Sequence, residues 1–205
     1  MGEFSSRAME PQHAWWPRMR CPYCQNPVEA EASECPVCRL SFPRTGTVLG
    51  AVPRLTPVVS DALGVLRHSD HRKLRARIST LESRFPGLVL QVLIHDFPDS
   101  HPFRLHVFRI FNAAAFAGEA NRGMDNRAIV LAISPGRGEA ALMPGYGLEP
   151  LLPIEALDHL LDLAGPAWQD GRWLDGITRV FDGLEPLLES TTTNERSQVG
   201  GSAEF

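Results

Sequence analysis

Lysine is nearly missing from this chain: Lys73 stands alone among twenty basic residues, the rest being arginine. That bias reflects genomic base composition before it reflects function. Neither sign of charge dominates, since the formal net charge is only -4. The balance argues against bulk attraction to nucleic acid or anionic lipid. No apolar run approaches the ~18 residues that would read as a membrane-spanning helix. Residues 1–20 lack a continuous apolar stretch and carry Glu3, Glu10, Pro11 and His13, which does not describe a secretory signal. Cysteine is scarce as well, with four in 205 residues. These deficits lead us to expect a cytoplasmic protein. At 43% hydrophobic and 21% charged, the remainder has the composition of a folded globular chain. Its length suits one ordinary domain plus something small.

The four cysteines form two matched pairs, Cys21-Pro-Tyr-Cys24 and Cys35-Pro-Val-Cys38, with ten residues between them. Each C-x2-C turn sends two thiolates in one direction, and two such turns facing each other make a tetrahedral sulfur site. Zinc is the default occupant because it favours sulfur and needs no redox partner. Cys-Pro-Tyr-Cys also occurs as a redox dithiol, but there it follows a strand, opens a long helix and stands alone. An iron or iron–sulfur centre would use the same four ligands. A segment this short and this poor in apolar residues cannot build a core of its own, so we expect the metal to supply its folding energy. We therefore read residues 21–42 as a zinc ribbon, preceded by a disordered segment over 1–20 and followed by a linker over 43–57. Three prolines and two glycines mark that linker. Basic and acidic residues nearly cancel across the ribbon, which favours a structural or protein-contacting role over phosphate binding. Trp15, Trp16 and Phe42 then serve to cover the metal site or dock on the body.

The body spans 58–189 and alternates helix with strand. Leu74, Ile78, Leu81 and Phe85 recur on one helical face, with Ser69 placed to cap and Pro86-Gly87 to stop. Arg67, Arg72, Lys73, Arg75, Arg77 and Arg84 make the other face a solvated basic one. Residues 88–94 are a continuous apolar run broken only by Gln91, as in a strand buried on both sides. Pro102 opens a second helix reaching about residue 117. Residues 127–134 hold a second buried strand, Pro135-Gly136-Arg137-Gly138 a turn, and 139–143 a third strand returning antiparallel. A helix follows from Pro153 and closes at Gly165-Pro166. The last runs over about 171–188, and 190–205 reads as a disordered tail. This order predicts a three-layer α/β sandwich with a central mixed sheet.

Four segments carry a resemblance. They are Val-Val-Ser-Asp ending at Asp61, Phe-Asn-Ala-Ala-Ala-Phe-Ala-Gly ending at Gly118, Asp125-Asn126 before the second strand, and Gly-Tyr-Gly-Leu-Glu over 145–149. In this order and spacing the chain resembles the TPM domain family over about residues 56–188. The resemblance implies an α/β sandwich with an acidic cleft able to hold a divalent cation, and a weak phosphatase activity in some members. By position, Asp61, Asp125, Asn126 and Glu149 would supply oxygen ligands to calcium or magnesium. Arg127 stands where the family has glycine, beside that cleft. The expected function is thus a protein-interaction or divalent-cation-binding module. The alternative is a weak metal-dependent phosphatase, in which the cation would polarise phosphoryl oxygens. The expected partner is another protein.

Overall fold

A computed structural model describes residues 19–29, 32–113, 126–149 and 151–200, with side chains up to residue 190. The described residues begin with two short strands, β1 (Met19–Arg20) and β2 (Pro27–Val28), paired antiparallel. A helix α1 (Phe42–Leu49) follows. Then come β3 (Val59–Asp61), α2 (His68–Arg84), β4 (Val89–Ile94) and α3 (Phe103–Ala113). The chain ends with β5 (Ala128–Ser134), β6 (Glu139–Pro144), α4 (Ile154–Gln169) and α5 (Trp173–Gly200).

The four larger strands form one sheet in the order β3-β4-β5-β6. The first three run parallel and β6 returns antiparallel to β5. All seven residues of β5 are buried, as expected of a central strand covered on both faces. Side chains alternate across the pleat. Leu90, Val92 and Ile94 of β4, with Ile129, Leu131 and Ile133 of β5, face the core shared with α2, α4 and α5. Leu93, Val130 and Ala132 face Phe103, Val107 and Ile110 of α3. The result is the three-layer α/β sandwich that the alternation of elements predicts.

The two crossover helices, α2 and α3, lie on opposite faces although both connections step the same way across the sheet. Their crossovers therefore have opposite hands, and one of them departs from the strong right-handed preference of such units.

Local chemistry explains the boundaries. The Arg67 N–H donates to the Asp70 carboxylate at 3.2 Å, so Asp70 guards the start of α2. Ser69, expected as the cap, lies inside the helix instead. The buried face of α2 is Leu74, Ile78 and Leu81, as the periodicity requires. Gln91, the polar break in β4, is buried and fully used. Its amide oxygen accepts from Val58 N–H at 2.8 Å, and its amide nitrogen donates to Thr56 O at 3.1 Å and Val92 O at 3.0 Å. It ties the approach to β3 onto the sheet.

Three expected boundaries change. Residues 43–57 do not form a plain linker, because α1 occupies their first half. Its Pro43 falls in the first turn, where a missing N–H costs nothing. Helix α4 does not close at Gly165-Pro166 but continues to Gln169, since Ala164 and Ala167 keep burying the same face. Helix α5 does not end near residue 188; its backbone continues to Gly200. The expected disorder of 1–20 falls mostly outside the described residues, and Met19–Arg20 is a strand.

Candidate metal centre

The two cysteine knuckles are near-copies in three dimensions. Cys21 N–H donates to Asn26 O at 2.9 Å, and Cys35 N–H donates to Leu40 O at 2.8 Å. Gln25 N–H returns to Cys21 O, and Arg39 N–H to Cys35 O, both at 2.9 Å. Gln25 and Arg39 each take the left-handed conformation, with φ 60. One residue before and six after the first cysteine, the backbone pairs: Arg20 with Pro27, and Glu34 with Ser41. This geometry points amide groups inward and brings the thiols together.

All four Sγ atoms lie within 4.8 Å of one another. Cys21 and Cys38 are 3.6 Å apart at sulfur, as are Cys24 and Cys35. A tetrahedron of thiolates with Zn–S near 2.3 Å has edges of about 3.8 Å, so the observed spacing suits one zinc. A disulfide would need about 2.05 Å between sulfurs, and all four cysteines are free. Cys21 and Cys35 are buried and the other two half-buried. Burial pushes the Cys21 thiol up and Cys38 up to about 12, while the Asn26 side chain and backbone hold Cys24 down to about 6. A cation bound by these four sulfurs would have to displace the protons held on Cys21 and Cys38. Among the described residues this is the group of three or more His, Cys, Asp or Glu side chains that converge for a metal.

Of the oxygen ligands expected for the cleft, Asp61 stands apart from Asn126. Asp61 ends β3, where its carboxylate is buried and accepts from Leu63 N–H at 3.2 Å and Leu66 N–H at 2.8 Å. His71 Nε2 lies 3.7 Å from the same carboxylate. Asp61 therefore organises the loop that leads to α2. Its strand register places it beside Ile94 and, through β4, Ile133. Asn126 lies before the opposite end of β5. Seven residues of strand separate the two ends, roughly 20 Å at ~3.3 Å each. Asp61 thus cannot share a cation with Asn126.

Asn126 and Glu149 do belong to one neighbourhood. Asn126 Oδ1 accepts from Ala128 N–H at 2.9 Å, and its carbonyl accepts from Gly147 N–H at 2.9 Å. Gly145 N–H donates to Ala128 O at 2.7 Å, and Glu149 N–H to Gly145 O at 3.0 Å. Burial pushes the Glu149 carboxyl up, and burial with the nearby Glu149 charge pushes the Tyr146 hydroxyl up. Asp125 and Gly118 lie outside the described residues.

Phe42, expected to cover the metal site or dock on the body, docks on the body; Trp15 and Trp16, expected to do the same, lie outside the described residues. Phe42 packs edge-on against Phe108 of α3, with ring centres 6.4 Å apart. The Arg109 guanidinium lies 5.7 Å above the Phe42 ring and reaches Gly50 O at 3.4 Å. Tyr23, in the first knuckle, stands 6.3 Å from the His101 ring. Phe42 is legible as a docking residue, whereas its partners Phe108 and Arg109, and the Tyr23–His101 contact, carry no signal in the sequence. The expected basic face of α2 is also partly spent: Arg77 pairs with Asp182 at 2.9 Å and Glu185 at 2.6 Å, and Arg84 pairs with Glu185 and Glu189.

Among the described residues, no helix is long and apolar enough to cross a membrane. No curated protein matches the sequence. A solution NMR structure of the N-terminal domain of a protein from P. gingivalis is similar at a TM-score of 0.53 and 14% identity. The match covers 72% of this chain and 88% of that one, and at such identity it speaks for the fold alone. Residues 59–186, more than half of the chain, match the TPM domain, with strands β3 to β6 and helices α2 to α4 wholly inside the match; the chain belongs to the TPM domain family.

Proposed function

We propose that this protein is a zinc-stabilised binding module, a ribbon joined to a TPM domain, that acts by contacting another protein. The observation that carries this reading is the tetrahedral convergence of the four cysteine sulfurs. Zinc bound there supplies folding energy and holds two knuckles in a fixed relation. Apolar surface stays open around the knuckles: Val37 is 61% exposed, and Tyr23 and Phe42, the first residue of α1, keep 43% and 40% exposure beside their contacts with the body. Apolar and aromatic tips on a rigid frame suit a protein partner better than a phosphate backbone, and the near-neutral ribbon agrees. A second cation, calcium or magnesium, would have Asn126, Glu149 and Asp125 to draw on, without Asp61.

The test is elemental analysis of the reduced protein, followed by phosphoester hydrolysis assays with and without Mg²⁺ or Ca²⁺. One zinc per chain and no turnover are expected. Cation-dependent turnover, lost in Asp125→Ala while the fold is kept, would replace this reading with a metal-dependent phosphatase. A sample that binds no transition metal would remove its foundation.

A further inference from the structure

We propose that the metal in the ribbon also sets the conformation of the TPM domain at the carboxyl end of its parallel strands, through α1 and the loop of residues 95–102. The proposal rests on the zinc reading above. The second knuckle runs directly into α1: Ser41 pairs with Glu34 across the knuckle and is also the residue that starts α1. Thr45, in the middle of α1, is fully buried, and its hydroxyl donates to Phe42 O at 2.6 Å.

Helix α1 is fastened to α3 by a close-fitting contact. Gly46 faces the Arg109 guanidinium so nearly that a Cβ there would lie 2.9 Å from Arg109 Nη2. That gap lets the guanidinium cover the Phe42 ring and reach the end of α1. Val52 and Leu55, beyond α1, pack on the same core as α3. The ribbon's second attachment is Tyr23 on His101.

From the body side the 95–102 loop is held through β5 and the turn after it, where Asp96 accepts from Gly136 N–H at 2.7 Å. Arg137, 9% exposed at its side chain, donates to Pro98 O at 2.6 Å and His101 O at 3.0 Å while pairing with Glu139. Phe97 packs against His95, Phe103 and His106. The loop leaves the carboxyl end of β4, with His95 N–H donating to Ile133 O at 3.1 Å. Carboxyl ends of parallel strands are where open α/β sheets take up ligands. Metal occupancy at the ribbon therefore conditions the surface that a ligand or partner would meet at this end of the sheet. The opposite end of the sheet, with Asn126 and Glu149, makes none of these contacts among the described residues.

Amide hydrogen exchange of the full chain, with zinc content measured in the same samples before and after chelation, tests this. We expect zinc removal to speed exchange by roughly tenfold or more across residues 42–55, 95–102 and 103–113 as well as the ribbon. Helices α2 and α4, on the other face of the sheet, should stay unchanged. A double variant, Tyr23→Ala with Arg109→Ala, should keep its zinc, exchange fast at 95–113 already, and respond to chelation only within 19–41. Zinc bound and removed with faster exchange confined to 19–41 in the wild type overturns the coupling while leaving the metal site standing. A double variant that responds like the wild type also overturns it. A chain that never binds zinc removes both readings, and the metal measurement separates that case from the others.

Discussion

Gly145 has no room for a side chain. A Cβ there would lie 2.5 Å from Asn126 O and 2.6 Å from its Cγ, so backbone as well as side chain would have to move. Gly145→Ala should cost about 1–3 kcal/mol, read as a lower urea midpoint. His106 supplies a pH-dependent term. It is buried beside Phe97, with Arg137, His101 and Glu139 as its charged or titratable neighbours, and burial followed by the Arg137 charge holds its pKa below 6.5. A depressed histidine contributes stability above its unfolded pKa and loses it as pH falls through the folded value. The stability of the wild type relative to His106→Gln should therefore decline as pH drops below about 6.5, measured by urea unfolding across that range. Residue chemistry was only half legible in the sequence. Sulfur ligands announce themselves by spacing, because their chemistry admits few other uses. A carboxylate has many: Asp61 reads equally as a ligand or as an acceptor for loop N–H groups, and only its hydrogen bonds decide.

Helix α1 shows how composition misleads at the scale of an element. Proline and glycine mark residues 43–57 as a linker, and the eight-residue α1 is too short to display a period. Its stability comes from the fully buried Thr45 and from Phe42 packed on α3, and the partner of that packing is encoded in no local pattern. The knuckles are the contrary case. Cys38→Ser removes one of four converging ligands, so zinc per chain should fall well below one and the ribbon should become protease-sensitive; limited proteolysis with metal analysis checks both. Helices α2 and α5 fall between. Their apolar faces are legible, but their partnership through Arg77, Arg84, Asp182, Glu185 and Glu189 is not. Those pairs are partly exposed, so Arg77→Ala should cost no more than about 1 kcal/mol.

Across the whole molecule, one sheet joins two cores. Phe181 is fully buried on the face of α2, α4 and α5, and Val107 on the face of α3. Phe181→Ala should cost about 3–5 kcal/mol. It should lower the denaturant midpoint without changing the slope if both layers unfold together. The sequence by itself determined the α/β class, the runs that become β4 and β5, the antiparallel return of β6 and the sulfur ligands. Those features follow from local periodicity and ligand spacing, which act over a few residues. The tertiary structure alone decided the opposite faces taken by α2 and α3 and the separation of Asp61 from Asn126. It alone decided the docking of the ribbon on α3. These depend on which residues distant in the chain meet, and free energy of that kind exists only once the layers have packed.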